Sequence, residues 1–172
     1  MNYRTQALEP LRDFINFDDE GFAAYADFAV LAALHVLELE PATPCGPPVL
    51  IISGDRATGK TIAASALGQI VPYIYDADTL RGDANAINLQ MLKMNRRAAV
   101  VAHQDFGPFV RAMGEWPLKS HLEMVGFSQL HTRPRDMWPL AGRPNPGRLE
   151  KVTNQARKSF WWNFHRELEA LA

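Results

Sequence analysis

The sequence predicts a three-layer α/β/α domain with a mostly parallel sheet, preceded by a helical N-terminal segment. Two observations carry this fold class. Short runs rich in β-branched residues, at 49–53, 71–76 and 98–102, alternate with helical stretches, the order that places helices on both faces of a parallel sheet. Ahead of them, residues 22–39 are rich in Ala and Leu and free of proline, which reads as a mostly buried helix. At 172 residues and 47% apolar content, the chain suits a single domain with a sizeable core. We divide it into a helical segment (1–45), a nucleotide-binding core (49–146) and a C-terminal helix (147–172).

Residues 6–17 read as a short amphipathic helix with Leu8, Leu11, Ile15 and Phe17 on its apolar side. In "DDEGF", Asp18 or Asp19 caps the next helix and the acidic cluster suits the positive end of its dipole. "EPATPCGPP", residues 40–48, is a loop by its four prolines and its glycine. "VLIIS" follows as a short buried strand bounded by Pro48 and Gly54. "KTIAASALGQI" is a helix carrying small residues. "VPYIYD" is the second strand, "DANAINLQMLKMN" a helix, and "RAAVVAHQD" contains the third strand. "FGPFVRAM" starts another short helix, "SHLEMVGFSQLH" fits helix and strand alike, and "DMWPLAGRPNPG" reads as a short strand and a turn. The closing stretch from Gly147 is a long helix.

The motif that carries chemistry lies behind the first strand. Gly54-Asp55-Arg56-Ala57-Thr58-Gly59-Lys60-Thr61 fits G-x-x-x-x-G-K-[ST] at every position. A loop that wraps a triphosphate turns consecutive amides inward, which needs backbone angles that glycine permits. It leads into a helix N-terminus, whose free N–H groups and dipole attract anions. Lys60 reaches the β and γ phosphates, and Thr61 offers its hydroxyl to Mg²⁺. The expectation is therefore a P-loop NTPase that takes ATP and Mg²⁺.

Hydrolysis also needs an acid near the metal and a group that orients water. Asp105, at the end of "RRAAVVAHQD", is the candidate acid, with Gln104 or His103 to position water. A helix N-cap is the alternative role for Asp105. In "YIYDADTLRGD", Asp76 and Asp78 also end a strand. They support a second reading, a small nucleotide or metabolite kinase with Asp78 as the alternative metal acid and Arg133 and Arg135 in a lid.

The order "LRDFINFDDEGFAAYADFAVLAALHV…PPVLIISGDRATGKT" resembles phage and plasmid ATPases of the superfamily-3 helicase-like group, over about residues 11–146. "ADTLRGDANAINLQMLKMNRRAAVVAHQD" is similar to the link, helix and second acidic strand of that group. The resemblance implies an ATPase serving replication or DNA remodelling. Lys60 and Thr61 match its nucleotide motif, and Asp105 matches its second acid approximately. "MWPLAGRPNP" resembles its third motif, with Asn145 as γ-phosphate sensor. Arg133, Arg135 and Arg143 are either exposed loop arginines or, with Arg143 foremost, a finger supplied to a neighbouring subunit of a homo-oligomer.

The C-terminal helix sets Arg148, Lys151, Arg157, Lys158 and Arg166 beside Trp161, Trp162 and Phe164. This suits single-strand binding by stacking and phosphate contact, or an amphipathic helix with its aromatics in the core. His103 and His165 are isolated. The net charge of −1 lacks the overall excess of a basic nucleic-acid binder. Cys45 is the only cysteine, which leaves no internal disulfide and no zinc spacing. No apolar run reaches the roughly 18 residues of a membrane span. The partners expected are DNA or a replication protein, with no membrane, in the cytoplasm of a bacterial or phage-infected cell.

Overall fold

The computed structural model describes residues 3–37, 48–76, 99–103, 127–138 and 146–172. They form an α/β fold with four helices and a four-stranded, all-parallel sheet. The strands are β1 (Val49–Ser53), β2 (Ile74–Asp76), β3 (Ala99–Ala102) and β4 (Phe127–His131), in the spatial order β2-β3-β1-β4. The helices are α1 (Tyr3–Leu8), α2 (Asp19–Val36), α3 (Lys60–Ile70) and α4 (Pro146–Leu171).

β1 is central because nothing in "VLIIS" demands water until its last residue: Val49, Leu50, Ile51 and Ile52 are all buried. Its pleat sends them alternately to two faces. Leu50 and Ile52 join Ala99, Val101 and Leu130 in one cluster with side chains from all four helices. On the opposite face, Val49, Ile51, Val100 and Ala102 are buried as well, as expected of a parallel sheet covered on both sides.

α2 starts where the chain offers a cap. Asp18 has extended backbone, and its carboxylate accepts from the Gly21 amide at 2.7 Å, with Asp19 and Glu20 in the first turn. Phe22, Tyr25, Phe28, Ala29 and Ala32 are buried along it. The buried Tyr25 hydroxyl donates to the Ala63 carbonyl at 2.7 Å, which ties α2 to α3. Burial pushes its pKa well above the ordinary tyrosine value, so it stays protonated and keeps donating.

α4 is amphipathic. Ala156, Phe160 and Phe164 are buried, and Trp161 sends its indole N–H to the Ile70 carbonyl at the end of α3, at 2.8 Å. Phe160, Trp161 and Phe164 touch one another edge-on or stacked, with centroids 5.3–5.9 Å apart. Most of the aromatic content of this helix therefore serves the core; Trp162, 67% exposed, faces solvent.

Three local expectations change. The first helix covers Tyr3–Leu8 and tightens into a 3₁₀ turn, Glu9–Leu11, with Pro10 inside it, so the helical stretch sits earlier than 6–17. A proline is tolerated in a first turn but cannot continue the α-helical ladder. Of the strand and turn expected in "DMWPLAGRPNPG", residues 139–145 lie outside those described, and Arg135–Met137 is a 3₁₀ turn; a fourth strand lies in "FSQLH". Pro134 immediately before this turn favours such a break. The four described helices also share one face of the sheet. The expected loop at 40–48 and the helices at 83–95 and after Phe106 fall mostly or wholly outside the described residues.

Candidate functional site

All four strands run the same way, so their carboxyl ends open on one edge. Gly54 follows β1, Asp76 ends β2, His103 follows β3 and Thr132 follows β4. Ligands of open parallel sheets bind outside this edge.

Residues 54–59 connect β1 to α3. Gly54 has φ 140° and Gly59 φ 91°, both unfavourable for side chains with a β-carbon, and Ala57 between them also takes a positive φ of 60°. Gly59 is the N-cap of α3 and has no side chain to cap it. The amides of Gly59, Lys60, Thr61 and Ile62 have no backbone carbonyl partner among the described residues. These are the orphan donors of a helix start, and they carry the positive end of its dipole. The Lys60 ammonium folds back over the loop and donates to the carbonyls of Gly54, at 2.8 Å, and Asp55, at 2.5 Å.

The loop is braced from outside by residues whose part the sequence did not disclose. Asn16 is fully buried. Its amide donates to the Thr58 carbonyl at 3.0 Å and the Arg133 carbonyl at 2.7 Å, while its side-chain oxygen accepts from Arg133 Nε at 3.3 Å. Both amide hydrogens and the oxygen are thereby used. Thr58 and Thr132 share a hydroxyl–hydroxyl bond of 2.6 Å, and Thr58 also donates to Asp55. A β-carbon on Gly54 would collide with the Thr132 hydroxyl, and one on Gly59 would stand 2.9 Å from the Trp138 ring. Each glycine is thus required twice, by its φ and by the segment packed against it. The only sequence signal for Asn16 was a polar residue inside the apolar run "FINF".

Two cavities meet at Thr61. One, of about 340 Å³, lies between residues 57–62 and the turn bearing Arg135 and Trp138. The other, of about 300 Å³, lies between α3 and the sheet and is lined by Thr61, Ser65, Gly68, Asp76 and His103 among others. Asp76 and His103 are joined by a 2.6 Å bond from His103 Nε2 to the Asp76 carboxylate. Because a carboxylate only accepts, Nε2 carries the hydrogen. The register explains the meeting: Asp76 lies opposite Val101, and His103, two residues on, shares that face of the sheet. His103 is 3% exposed, whereas the Asp76 side chain is 37% exposed. The carboxylate is therefore held by a buried partner and is itself partly exposed.

Of the sequence-derived candidates, Gly54, Asp55, Arg56, Ala57, Thr58, Gly59, Lys60 and Thr61 form the loop and helix start, and Asp76 joins Thr61 at the second cavity. Arg133 is engaged by Asn16 and Arg135 reaches the first cavity. Asp78, Gln104, Asp105, Arg143 and Asn145 lie outside the described residues. His103 was read as isolated or as positioning water; it orients Asp76. His165 lies beside Trp161, with centroids 6.1 Å apart. Among the described residues, no three His, Cys, Asp or Glu side chains gather into a metal site of their own, and no helix is long and apolar enough to cross a membrane.

No protein-family model matches this chain, and neither a curated protein nor a solved structure matches it.

Proposed function

We propose that this chain is a P-loop NTPase that binds ATP with Mg²⁺ through residues 54–61, hydrolyses it, and couples the reaction to work on nucleic acid. One observation carries the reading: a β-strand enters and an α-helix leaves a glycine-hinged loop whose last amides have no backbone partner among the described residues and whose lysine lies over it. Such an arrangement binds polyphosphate through backbone N–H groups, the helix dipole and the Lys60 charge. The residues present would also suit a magnesium ion, with Thr61 and Asp76 to hold it. The Thr61 hydroxyl and the Asp76 carboxylate are hard oxygen donors on one cavity, a set that suits an ion keeping several of its waters. When bound, Mg²⁺ neutralises charge that develops on the phosphates. Asp76, oriented by His103, takes the acid's role in this reading, with Asp105 as its competitor.

The nucleic-acid coupling is supported by α4. Its exposed Trp162 has Lys158 four residues before it and Arg166 four residues after it, so all three share one helix face. An aromatic platform flanked by cations suits a single strand. The decisive experiment measures phosphate release from ATP with and without DNA, on the wild type and on Lys60→Ala, Asp76→Ala and Asp105→Ala. We expect DNA to raise turnover and both Lys60→Ala and Asp76→Ala to abolish it. No ATP binding by the wild type would sink the reading. Loss in Asp105→Ala alone would return the acid's role to that residue.

The second cavity favours a second reading, a small-molecule kinase. It places a space of about 300 Å³ directly beside Asp76 and Thr61, floored by Ser65 and Gly68 of α3. That is the size of a small metabolite's site. A kinase would release little phosphate until an acceptor is supplied, and DNA would not stimulate it. A homo-oligomer in which Arg143 reaches a neighbour belongs to the ATPase reading, and light scattering with bound ATP tests it.

A further inference from the structure

The first cavity has a wall that a phosphate does not need. Phosphates call for amides and cations, both found on the 57–62 side. Opposite stands Trp138, a large apolar ring only 6% exposed, packed on the α-carbon of Gly59. Its Nε1–H is buried and has no acceptor among the described residues. The indole N–H is closed off from the cavity, so the ring meets that space with its carbon edge and offers an apolar surface. Arg135, exposed and three residues earlier on the same 3₁₀ turn, lines the same space. No hydrogen bond or ion pair engages its side chain among the described residues, so its planar guanidinium is available to lie against a planar ring.

We propose that this cavity holds the heterocyclic base of the bound nucleotide, packed against Trp138 and covered by Arg135. The proposal rests on the reading of residues 54–61 as the phosphate loop. It assigns the ligand class: a nucleoside triphosphate rather than any polyphosphate or phosphorylated side chain. The cavity, about 340 Å³, is in the range of small-ligand sites. The arrangement also gives Gly59 a further purpose. By lacking a β-carbon, it lets the indole reach the start of the helix, so the base and the phosphates are gripped by adjacent parts of one loop.

The test compares the affinity of ATP with that of inorganic tripolyphosphate, both with Mg²⁺, by calorimetry on the full chain. Wild type, Trp138→Phe, Trp138→Ala and Arg135→Ala are measured, with circular dichroism to check folding. The wild type should prefer ATP by about tenfold or more, the scale of base–aromatic stacking. Trp138→Ala should remove most of that preference. Trp138→Phe, which keeps a smaller ring, and Arg135→Ala, on an exposed side chain, should each remove part of it. Tripolyphosphate affinity should stay within about twofold throughout, on the same scale. Equal affinity of the wild type for the two ligands, or equal losses for both in the variants, overturns the base site and leaves the phosphate loop standing. An ATP preference untouched in Trp138→Phe and Arg135→Ala overturns it also. If the wild type binds neither ligand, the phosphate-loop reading itself falls.

Discussion

The two cavities that meet at Thr61 share a helix and differ in their opposite walls. The first faces Trp138, an apolar ring seated on Gly59, with Arg135 at its rim. The second faces Asp76, whose carboxylate is held by the buried His103, over a floor of Ala64, Ser65 and Gly68. The lesson is that one helix start can border two differently walled spaces. Thr61 is common to both, while segments far apart in sequence supply the opposite walls.

The sharpest way to break this comparison is to remove the cation at the start of the helix that the two cavities border. Lys60→Ala should weaken ATP and tripolyphosphate alike by about tenfold or more, the worth of a charge-assisted hydrogen bond of roughly 1.5–3 kcal/mol. A selective loss for one of the two ligands would mean that Lys60 belongs to one side only. Next in size, Asp76→Ala should lower kcat strongly while ATP affinity falls by less than about threefold, since an acid acting on the transition state leaves ground-state binding nearly unchanged.

Gly59→Ala should destabilise the fold by about 1–3 kcal/mol, because alanine resists φ 91° and its β-carbon meets Trp138 at 2.9 Å. Thermal unfolding reads this directly, and an unchanged melting temperature would show that the indole moves away at no cost. His103→Ala should lower Mg²⁺ affinity or turnover by about tenfold to a hundredfold, as for partners that orient a metal's ligands, with His103→Asn recovering part of it. If instead Tm falls and turnover at low temperature does not, His103 supports the sheet alone.

The smallest effect is expected at Gly68, where an added β-carbon meets nothing within 4 Å. Gly68→Ala should stabilise α3 by up to about 1 kcal/mol through helix propensity. Unaltered ATP turnover in that variant would sharpen the picture of Gly68 as open floor, and loss of turnover would mean that the second cavity needs its full width.

Much of the scaffold was legible because its causes are local. The β-branched run between Pro48 and Gly54 is β1, and Asp18 caps α2 as its position ahead of an apolar helix implied. The glycines of the loop take the positive φ angles that their spacing suggested. The C-terminal helix runs to Leu171, with its aromatics divided between core and solvent by its period. β4 was harder to read. "FSQLH" mixes polar and apolar residues without a long apolar run, and its pairing with β1 decides its state.

The bracing was hidden for a different reason. Asn16 and Arg133 are 117 residues apart, Thr58 and Thr132 are 74 apart, and Asp76 and His103 are 27 apart. Nothing near any of these residues in the chain announces its partner. The sequence offered Asp105 as the metal's acid with Asp78 as its alternative, and both lie outside the described residues. The register of β2 on β3 then joined Asp76 to His103 and set it beside Thr61.

What the amino-acid order determined by itself is the strand–loop–helix with its cap, its glycine angles and its lysine. Those depend on dihedral preference and hydrogen bonding within a few residues. What the tertiary structure alone decided is which side chains wall the two cavities: Trp138 and Arg135 on one side, Asp76 and His103 on the other. Adjacent parallel strands are joined by long crossovers, so the register that brings their carboxyl ends together is set by packing across the sheet and leaves no mark on the local sequence.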